Sequence, residues 1–310
     1  MDPTRATTVA LVTSRAGLEY DDDLPLVTGA LAAHGLTAEP VRWDAPGTAW
    51  ERFGGAVVRS VWDYVERIDA FLSWADRTAR VTRLWNPAPL IRWNSDKHYL
   101  RELARQGVPV VPTRFLAPGA PFDPRDLDGA DGVVVKPAVS AGALDTARYE
   151  RGAHAEAARH VRMLLERGRA AMVQPYLPRV AEGERALVLL DGVLSHAVRK
   201  EPLLTEPGVI DNDRMPHPGL APYRPSGAEV RTALAALAAL PRRTVARPPA
   251  PLFARVDLVL GATGEPLVLE LELVEPNLFL TTDPGAPARF AEAVAARAAA
   301  PRRPHPRTAP

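Results

Sequence analysis

Two neighbouring segments in the last quarter of the chain carry charged residues at alternate positions. Arg255 and Asp257 lie two residues apart in the first segment, and Glu270 and Glu272 lie two apart in the second, with Val or Leu between them. Because side chains two apart in a strand point to the same face, two paired strands would bring all three carboxylates beside Arg255. Such a group is costly unless a cation lies in it, and hard oxygen ligands without thiolates or clustered histidines are typical of Mg²⁺. The alternative is a solvated polar face, but the apolar residues between the charges favour a buried one.

Lysine is rare in this chain. Of 38 basic residues only Lys97, Lys136 and Lys200 are lysines, and the others are arginines. A lysine kept in such a composition suggests a need for a compact ammonium on a flexible stem, for example to contact a polyphosphate. Lys136 ends the apolar run 132–137, and the small residues at 138–143 could close their backbone N–H groups over a phosphate chain. The alternative is that a few lysines persist without a function.

A second polar group follows the predicted strand 56–58, where an open parallel sheet binds its ligands. Arg59 and Asp63 could hold the carboxylate and the ammonium of an amino-acid-like substrate, and Trp62 would exclude water. The alternative is a loop whose aromatic side chains only close the edge of the domain. The candidate substrate residues of this segment are Arg59, Ser60, Trp62, Asp63 and Tyr64.

Composition excludes several classes of protein. The chain has 310 residues, 46% of them hydrophobic and 24% charged, which suits a globular protein of two or three domains. The net charge of +1 and the absence of a long basic run disfavour nucleic-acid binding, and the absence of cysteine excludes disulfides and thiolate chemistry. Residues 1–12 lack the pattern of a signal peptide, and no segment is long and apolar enough for a membrane span. We therefore predict a soluble cytoplasmic protein without membrane or nucleic-acid partners, and a homodimer is left open.

Hydrophobic patterns predict an α/β protein. Strands at 9–12 and 56–58 alternate with helices at 25–34 and 67–80, which indicates a parallel sheet. Ser95 is a good N-cap for a helix over 96–106 with Lys97 in its first turn, and Asp191-Gly192 predicts a tight hairpin. Further strands are predicted at 132–137, 171–174, 186–190, 193–199, 253–260 and 266–276, helices at 154–167 and 226–240, a loop or lid at 201–225 and a disordered tail at 301–310.

The order of these motifs over about two thirds of the chain resembles the ATP-grasp superfamily, in its glutathione synthetase and RimK-like branch. A helix lysine, a strand lysine with a small-residue loop, Gln-Pro-Tyr-Leu, Gly-Glu, Arg-Val-Asp and Glu-x-Glu follow one another in that order. Segments 59–64 and 270–280 also resemble a smaller actinomycete group, the D-cycloserine synthetase-like ligases of antibiotic biosynthesis. The superfamily pattern usually ends in Glu-x-Asn, so Glu272 departs from it and leaves one or two Mg²⁺ ions as alternatives.

The resemblance implies roles for residues of this sequence. For ATP they are Lys97, Lys136, Ser140, Ala141, Gly142, Gln174, Tyr176, Leu177 and Glu184. For Mg²⁺ they are Asp257, Glu270 and Glu272. For catalysis they are Arg255 and either Lys200 or Arg199, and for the substrate, besides the segment after 56–58, Arg185 and Asn277.

The implied fold is α/β with α+β subdomains, an ATP-grasp fold preceded by a parallel-sheet domain. We expect this N-terminal domain at 1–93, a small ATP-grasp subdomain at 94–180, and a large subdomain with the metal site at 181–300. The implied activity is an ATP- and Mg²⁺-dependent carboxylate–amine ligase that forms an acyl phosphate on a small amino-acid-like substrate, with ring closure within one molecule as one possibility. The alternative is a non-catalytic, nucleotide-binding regulatory protein on the same fold, against which the intact carboxylate set argues.

Overall fold

The computed structural model describes residues 7–127, 132–213, 219–242 and 251–300, and the predicted tail 301–310 lies outside them. The strands are β1 (Thr8–Thr13), β2 (Thr37–Arg42), β3 (Gly55–Ser60), β4 (Leu84–Trp85), β5 (Arg114–Leu116), β6 (Gly132–Pro137), β7 (Ala147–Glu150), β8 (Ala171–Pro175), β9 (Glu184–Leu190), β10 (Val193–Lys200), β11 (Leu220–Pro222), β12 (Phe253–Leu260) and β13 (Pro266–Glu272). The helices are α1 (Arg15–Tyr20), α2 (Asp23–Ala33), α3 (Ile68–Val81), α4 (Ala88–Asn94), α5 (Tyr99–Arg105), α6 (His154–Glu166), α7 (Gly227–Ala238) and α8 (Ala286–Ala299). None of these helices is both long and apolar enough to span a bilayer.

The N-terminal sheet is parallel, with the strand order β2-β1-β3-β4. Its central strands β1 and β3 are buried along nearly their whole length because helices cover both faces, with α2 and α8 on one side and α3 on the other. This confirms the parallel α/β start of the chain. Helix α8 is not among the predicted elements, since alanines separate its buried anchors Phe290 and Val294 and weaken the helical pattern.

The largest sheet is antiparallel, with the strand order β11-β10-β9-β12-β13. The predicted hairpin between β9 and β10 is confirmed, and Asp191 and Gly192 take the positive φ angles, 49° and 78°, that a type I′ turn requires. The predicted loop 201–225 contains one short strand, β11, which pairs with β10. Helix α7 begins with a capping box between Ser226 and Glu229, as its predicted start at 226 requires.

The third sheet is also antiparallel, with the order β5-β8-β6-β7. Val133 and Val135 of β6 point to a core shared with α6, so the alternate residues Val134 and Lys136 face the opposite side. The alternation of strand β6 thus aims its lysine at the space between this sheet and the largest one.

The predicted helix over 96–106 is wrong at its start. Helix α4 runs up to Asn94, the Ser95 hydroxyl donates to the Arg92 carbonyl at 3.2 Å, and α5 begins only at Tyr99. The competing interaction is tertiary, because the Lys97 backbone N–H donates to the carbonyl of Ala138, just beyond β6, at 2.9 Å. Lys97 therefore lies in a connection between two helices, tied to the small-residue loop.

The N-terminal sheet and the largest sheet are joined by hydrogen bonds as well as by a common apolar core. The Asn86 amide donates to the carbonyls of Phe253 and Leu273 at 2.9 and 2.8 Å, and the Asn94 amide donates to Leu271 at 2.7 Å. Each of the three sheets lies within one of the predicted ranges 1–93, 94–180 and 181–300. The boundaries themselves stay a prediction.

Candidate active site

A cavity of about 740 Å³ lies between the three sheets. Strands β12 and β13 form its floor, β6 and β8 face them, and the segments after α1 and β3 close one side. This size suits a small-molecule site. The predicted site residues that line it are Trp62, Tyr64, Lys97, Lys136, Ser140, Ala141, Gly142, Gln174, Tyr176, Leu177, Glu184, Lys200, Arg255, Asp257, Glu270, Glu272 and Asn277.

The floor carries the alternating charges of β12 and β13 on one face. Arg255 lies opposite Glu272, and Asp257 lies opposite Glu270, in the register of the two strands. The Arg255 guanidinium donates to both oxygens of Asp257, at 2.9 and 3.0 Å, and also to the carboxylate of Glu272. The shared face expected from the alternation is confirmed, with Arg255 between two carboxylates.

The three lysines converge on the same cavity, and each is buried. Lys136 Nζ donates to Glu270 Oε1 at 2.7 Å, and Lys200 Nζ lies 2.7 Å from carboxylate oxygens of both Asp257 and Glu184. Lys97 Nζ donates to the Ser140 carbonyl at 2.7 Å. The three ammonium groups therefore approach the cavity from three separate segments of the chain.

Charge pairing shifts the titration of the floor. Burial alone would raise the pKa of Asp257, but Arg255 and Lys200 outweigh it and hold that pKa well below its usual range. Glu270 is half-buried, and although burial alone would raise its pKa, Lys136 with Lys97 lowers that pKa to about 2. The pKa of Glu272 is raised by burial, and Arg255 only partly offsets this effect. Asp257 and Glu270 are thus held as anions, which a hard cation requires.

The donor chemistry of the floor fits Mg²⁺, since Asp257, Glu270 and Glu272 all present carboxylate oxygens to the cavity. Among the described residues, however, no three acidic or histidine side chains converge on one point as a ready metal cluster. Each of the three carboxylates instead contacts a cationic side chain. Metal binding would therefore require these carboxylates to exchange a cationic partner for the ion.

The nucleotide side of the cavity is formed by β8 and by the loop after β6. Gly142 and Ala143 take successive positive φ angles of 60° and 61°, a turn that exposes backbone N–H groups and that an L-residue rarely adopts. Gln174 donates from its side chain to Thr113 at 2.8 Å. The Tyr176 N–H donates to the Gly132 carbonyl at 2.8 Å, so that N–H is engaged within the sheet.

Two predicted residues of the largest sheet point away from the cavity. Glu184 lies opposite Lys200 in the β9–β10 register and both face the cavity, whereas Arg185 lies opposite Arg199 on the other face. Arg185 donates to the Gly183 carbonyl, and Arg199 is exposed. The predicted substrate role of Arg185 is therefore corrected, because alternation along the strand turns its side chain away from the cavity. Of the two candidate catalytic residues Lys200 and Arg199, only Lys200 faces the cavity.

The segment after β3 is divided in the same way. Trp62 and Tyr64 line the cavity, but Arg59 is 1% exposed and pairs with Asp23 at 3.2 Å on the opposite side. The predicted substrate role of Arg59 is corrected. Because β3 is buried on both faces, the Arg59 guanidinium points into the protein interior.

Ser60 and Asp63 are also turned away from the cavity. The Ser60 hydroxyl is 2.7 Å from that of Thr13. Asp63 accepts from the Trp43 indole at 2.9 Å and pairs with Arg67 at 2.5 Å. Their predicted substrate roles are corrected, since each side chain is engaged in local packing.

Several cavity residues were not predicted, and Glu275 is the most unusual of them. Burial, followed by the nearby Glu272, raises its pKa to about 8, and Tyr64 lines the cavity with it. A signal was present, because Glu275 is the third acid of Glu-Leu-Glu-Leu-Val-Glu and the only one out of the strand alternation. The other unpredicted residues of the lining include Tyr20, Asp22, Asn94, Ser95 and Tyr99.

Solved structures with the same architecture identify the class. A RimK domain ATP-grasp protein from Sphaerobacter thermophilus has a TM-score of 0.63 at 21% identity, over 93% of this chain and 99% of that one. The D-alanine–D-alanine ligase of Bacillus anthracis has a TM-score of 0.64 at 14% identity, over 94% and 97%. With the lysines and carboxylates gathered in one cavity, this fold is that of the ATP-grasp ligases.

Nearer relatives define the family. A family model described as the N-terminal domain of D-cycloserine synthetase DcsG matches residues 9–86. The cycloserine biosynthesis protein DcsG of Streptomyces lavendulae is 39% identical over 296 residues, which cover 93% of this chain and 98% of that protein. The crystal structure of D-cycloserine synthetase DcsG has a TM-score of 0.84 at 38% identity, over 94% and 99% of the two chains. The chain belongs to the D-cycloserine synthetase family.

Proposed function

We propose that this protein is an ATP- and Mg²⁺-dependent ligase that joins the carboxylate of a small amino-acid-like substrate to a nitrogen atom of the same molecule. The observation that carries the proposal is the meeting of Lys97, Lys136, Lys200 and Arg255 with the carboxylates of β12 and β13 in one cavity. A polyphosphate and a hard cation would satisfy both sets of charges at once.

ATP would lie between the third sheet and the floor. Lys97 and Lys136 are within reach of its phosphates, and the N–H groups around Gly142 would close over them. Gln174, Tyr176 and Leu177 would flank the adenine, and Glu184 would accept from the ribose. When the phosphates arrive, the ammonium of Lys136 would exchange the Glu270 carboxylate for a phosphate oxygen.

Asp257, Glu270 and Glu272 would hold Mg²⁺, which neutralises charge on the β- and γ-phosphates when it is bound. Glu272 adds a negative charge where the superfamily pattern has Asn. We propose that this extra carboxylate allows a second Mg²⁺ ion to bind. Arg255 already lies between Asp257 and Glu272 and would also stabilise the transferring phosphoryl group.

The reaction has two balanced steps. In the first step a substrate carboxylate oxygen attacks the γ-phosphorus of ATP, the bond to the ADP oxygen breaks, and an acyl phosphate forms. In the second step the nitrogen attacks the acyl carbon, the carbon–oxygen bond to phosphate breaks, and the nitrogen loses a proton. The buried cations Lys200 and Arg255 would stabilise the charge of the transferred phosphoryl group. Trp62 and Tyr64 would limit the access of water to the acyl phosphate.

The family indicates the kind of product. Its named member is a D-cycloserine synthetase, so we infer that the nitrogen lies on the side-chain oxygen of a serine-like substrate and that ring closure gives an isoxazolidinone. The substrate is then a zwitterion small enough to share the cavity with a nucleotide.

The test is a turnover assay with the purified protein, ATP and Mg²⁺. Serine derivatives that carry nitrogen on the side-chain oxygen, free or acylated and in both configurations, are supplied one at a time. We expect ADP and phosphate release in step with formation of cycloserine, or of its N-acyl form from an acylated substrate, followed by mass spectrometry, and no turnover after Mg²⁺ is removed with a chelator. Nucleotide binding without turnover on every compound would contradict the proposal and favour a regulatory protein.

A further inference from the structure

One carboxyl group in the cavity has no role in the chemistry described above. Glu275 follows β13, and its neighbours fix its position: Val274 is buried in the apolar core of the N-terminal sheet, and Pro276 restricts the backbone. Two residues further on, the carbonyl of Asn277 accepts from Arg255 Nη1 at 2.9 Å. Glu275 is thus held on the same wall of the cavity as Arg255.

The charge environment of Glu275 differs from that of the floor. Asp257, Glu270 and Glu272 each pair with a lysine or with Arg255, whereas Glu275 forms no ion pair within the described part of the chain. The groups that act on the charge of Glu275 are Glu272, Lys97, Tyr64 and Arg255, and the buried phenol of Tyr64 lines the cavity with it. A half-buried carboxylate without a cationic partner retains free acceptor positions.

Electrostatics indicate what would occupy those positions. A carboxylate that lines the cavity without a cationic side chain as partner is costly to keep ionised, and a cationic ligand would offset that cost. The ligand cannot be a large cation, because Glu275, Tyr64 and Trp62 share the cavity with the nucleotide side. A primary ammonium group fits both the charge and the space.

We propose that Glu275, oriented by the Tyr64 hydroxyl, binds the α-ammonium group of the substrate and thereby selects amino acids. The proposal rests on the proposed function, since it assumes that an amino-acid carboxylate is activated beside Arg255. Cycloserine keeps a primary amine on its ring, so this group passes through the reaction unchanged. Held as an ammonium by Glu275, it has no lone pair for attack, and only the nitrogen on the side-chain oxygen reaches the acyl carbon.

The test compares two ligands that differ by one amine. D-cycloserine and isoxazolidin-3-one, the same ring without the amine, are titrated calorimetrically into the full-length protein saturated with ADP and Mg²⁺. The native protein should bind D-cycloserine at least about tenfold more tightly, as a hydrogen bond to a charged group provides. Glu275→Gln should abolish this preference and leave the affinity for isoxazolidin-3-one within about threefold of the native value.

Matched variants separate binding from folding. Asp22→Asn removes an exposed carboxylate that also lines the cavity, and it should keep the preference for the amine. Tyr64→Phe should reduce the preference without abolishing it, and Glu275→Asp should restore part of it. The comparison within the native protein needs no variant at all, so the proposal can be tested even if Glu275→Gln folds poorly.

Three outcomes would overturn the subsite. A native protein that binds both rings equally would contradict it, and so would Glu275→Gln weakening both rings to the same extent. In both cases the ligase reaction itself would stand. If the native protein binds neither ring, the proposed product is wrong, and the ammonium subsite falls with it.

Discussion

Arg255 and Arg59 are both buried arginines that sit among carboxylates, yet of these two only Arg255 lies in the cavity. Arg255 contacts Asp257 and Glu272 on the floor, and Arg59 contacts Asp23 with Asp21 close by in the interior of the N-terminal domain. Both guanidinium groups are at most 4% exposed, so burial does not distinguish them. The difference lies in what surrounds each cluster.

The Arg59 cluster is closed by structural hydrogen bonds. Asp23 Oδ1 accepts from the Leu280 N–H at 2.9 Å, so the cluster ties α2, β3 and the segment before α8 together. The Arg255 cluster instead borders Lys200, Lys136 and the open volume of the cavity. The cavity and the exchangeable lysines, rather than backbone contacts, distinguish the two clusters, because Arg255 also donates to the Asn277 carbonyl.

The largest expected effect tests the structural side of this comparison. Arg59→Met should lower the free energy of unfolding by about 3–5 kcal/mol, because it leaves Asp21 and Asp23 buried without a cation. Chemical denaturation measures the loss. Arg67→Met is the matched control: Arg67 also pairs with two aspartates, but it is exposed, so it should cost about 1 kcal/mol or less. Native stability of Arg59→Met with a raised KM for the amino acid would return Arg59 to the active site.

The second prediction tests the catalytic side. Glu270→Gln keeps the volume and an acceptor for Lys136 but removes a charge from the floor, so kcat should fall at least about 100-fold, or ~2.7 kcal/mol of barrier. Steady-state ADP release measures kcat, and the melting temperature serves as the folding control. Near-native turnover at saturating Mg²⁺ would remove Glu270 from the metal site.

The third prediction concerns the exchange of partners by Lys136. Lys136→Arg keeps the charge but places a wide planar group where a point donor now fits between Glu270 and the small-residue loop. We expect the KM for ATP to rise and kcat to fall, with kcat/KM lower by about tenfold. Initial rates over a range of ATP concentrations give both constants, and unchanged ATP kinetics would show that Lys136 has only a structural role.

The smallest effect is expected at Asp63, on the outer side of the segment after β3. Asp63→Asn still accepts from the Trp43 indole and loses only an exposed ion pair with Arg67, so KM for the amino acid should change by less than about twofold. Parallel measurements of KM for ATP and for the amino acid check this. A selective loss for the amino acid would mean that Asp63 turns into the cavity when substrate binds.

The same contrast explains what could be predicted from sequence. Alternation in β12 and β13 determined which side chains share a face within each strand, and the register of the pair places Arg255 opposite Glu272 and Asp257 opposite Glu270. The same rule holds at the end of β10, where the consecutive residues Arg199 and Lys200 point to opposite faces of the sheet.

Irregular segments offered no such rule. The Ser95 hydroxyl has a local partner, the Arg92 carbonyl, and the Lys97 N–H has a tertiary one, the Ala138 carbonyl beyond β6. The tertiary contact determined where α5 begins. Glu275 lies beyond the end of β13, where periodicity no longer predicts direction, so its place in the cavity depended on the packing of Val274.

The asparagine contacts between the N-terminal sheet and the largest sheet also bear on how such ligases can recombine in evolution. The matched family segment ends at residue 86, and at that residue the Asn86 side chain donates to two carbonyls of the largest sheet and accepts from the N–H of Leu252 at 2.8 Å. A domain swap at this border would have to preserve all three bonds at a buried position, or leave polar backbone unpaired. Asn86 therefore couples the N-terminal domain to the strands that form the floor, and a replacement domain would have to supply an asparagine at the same place.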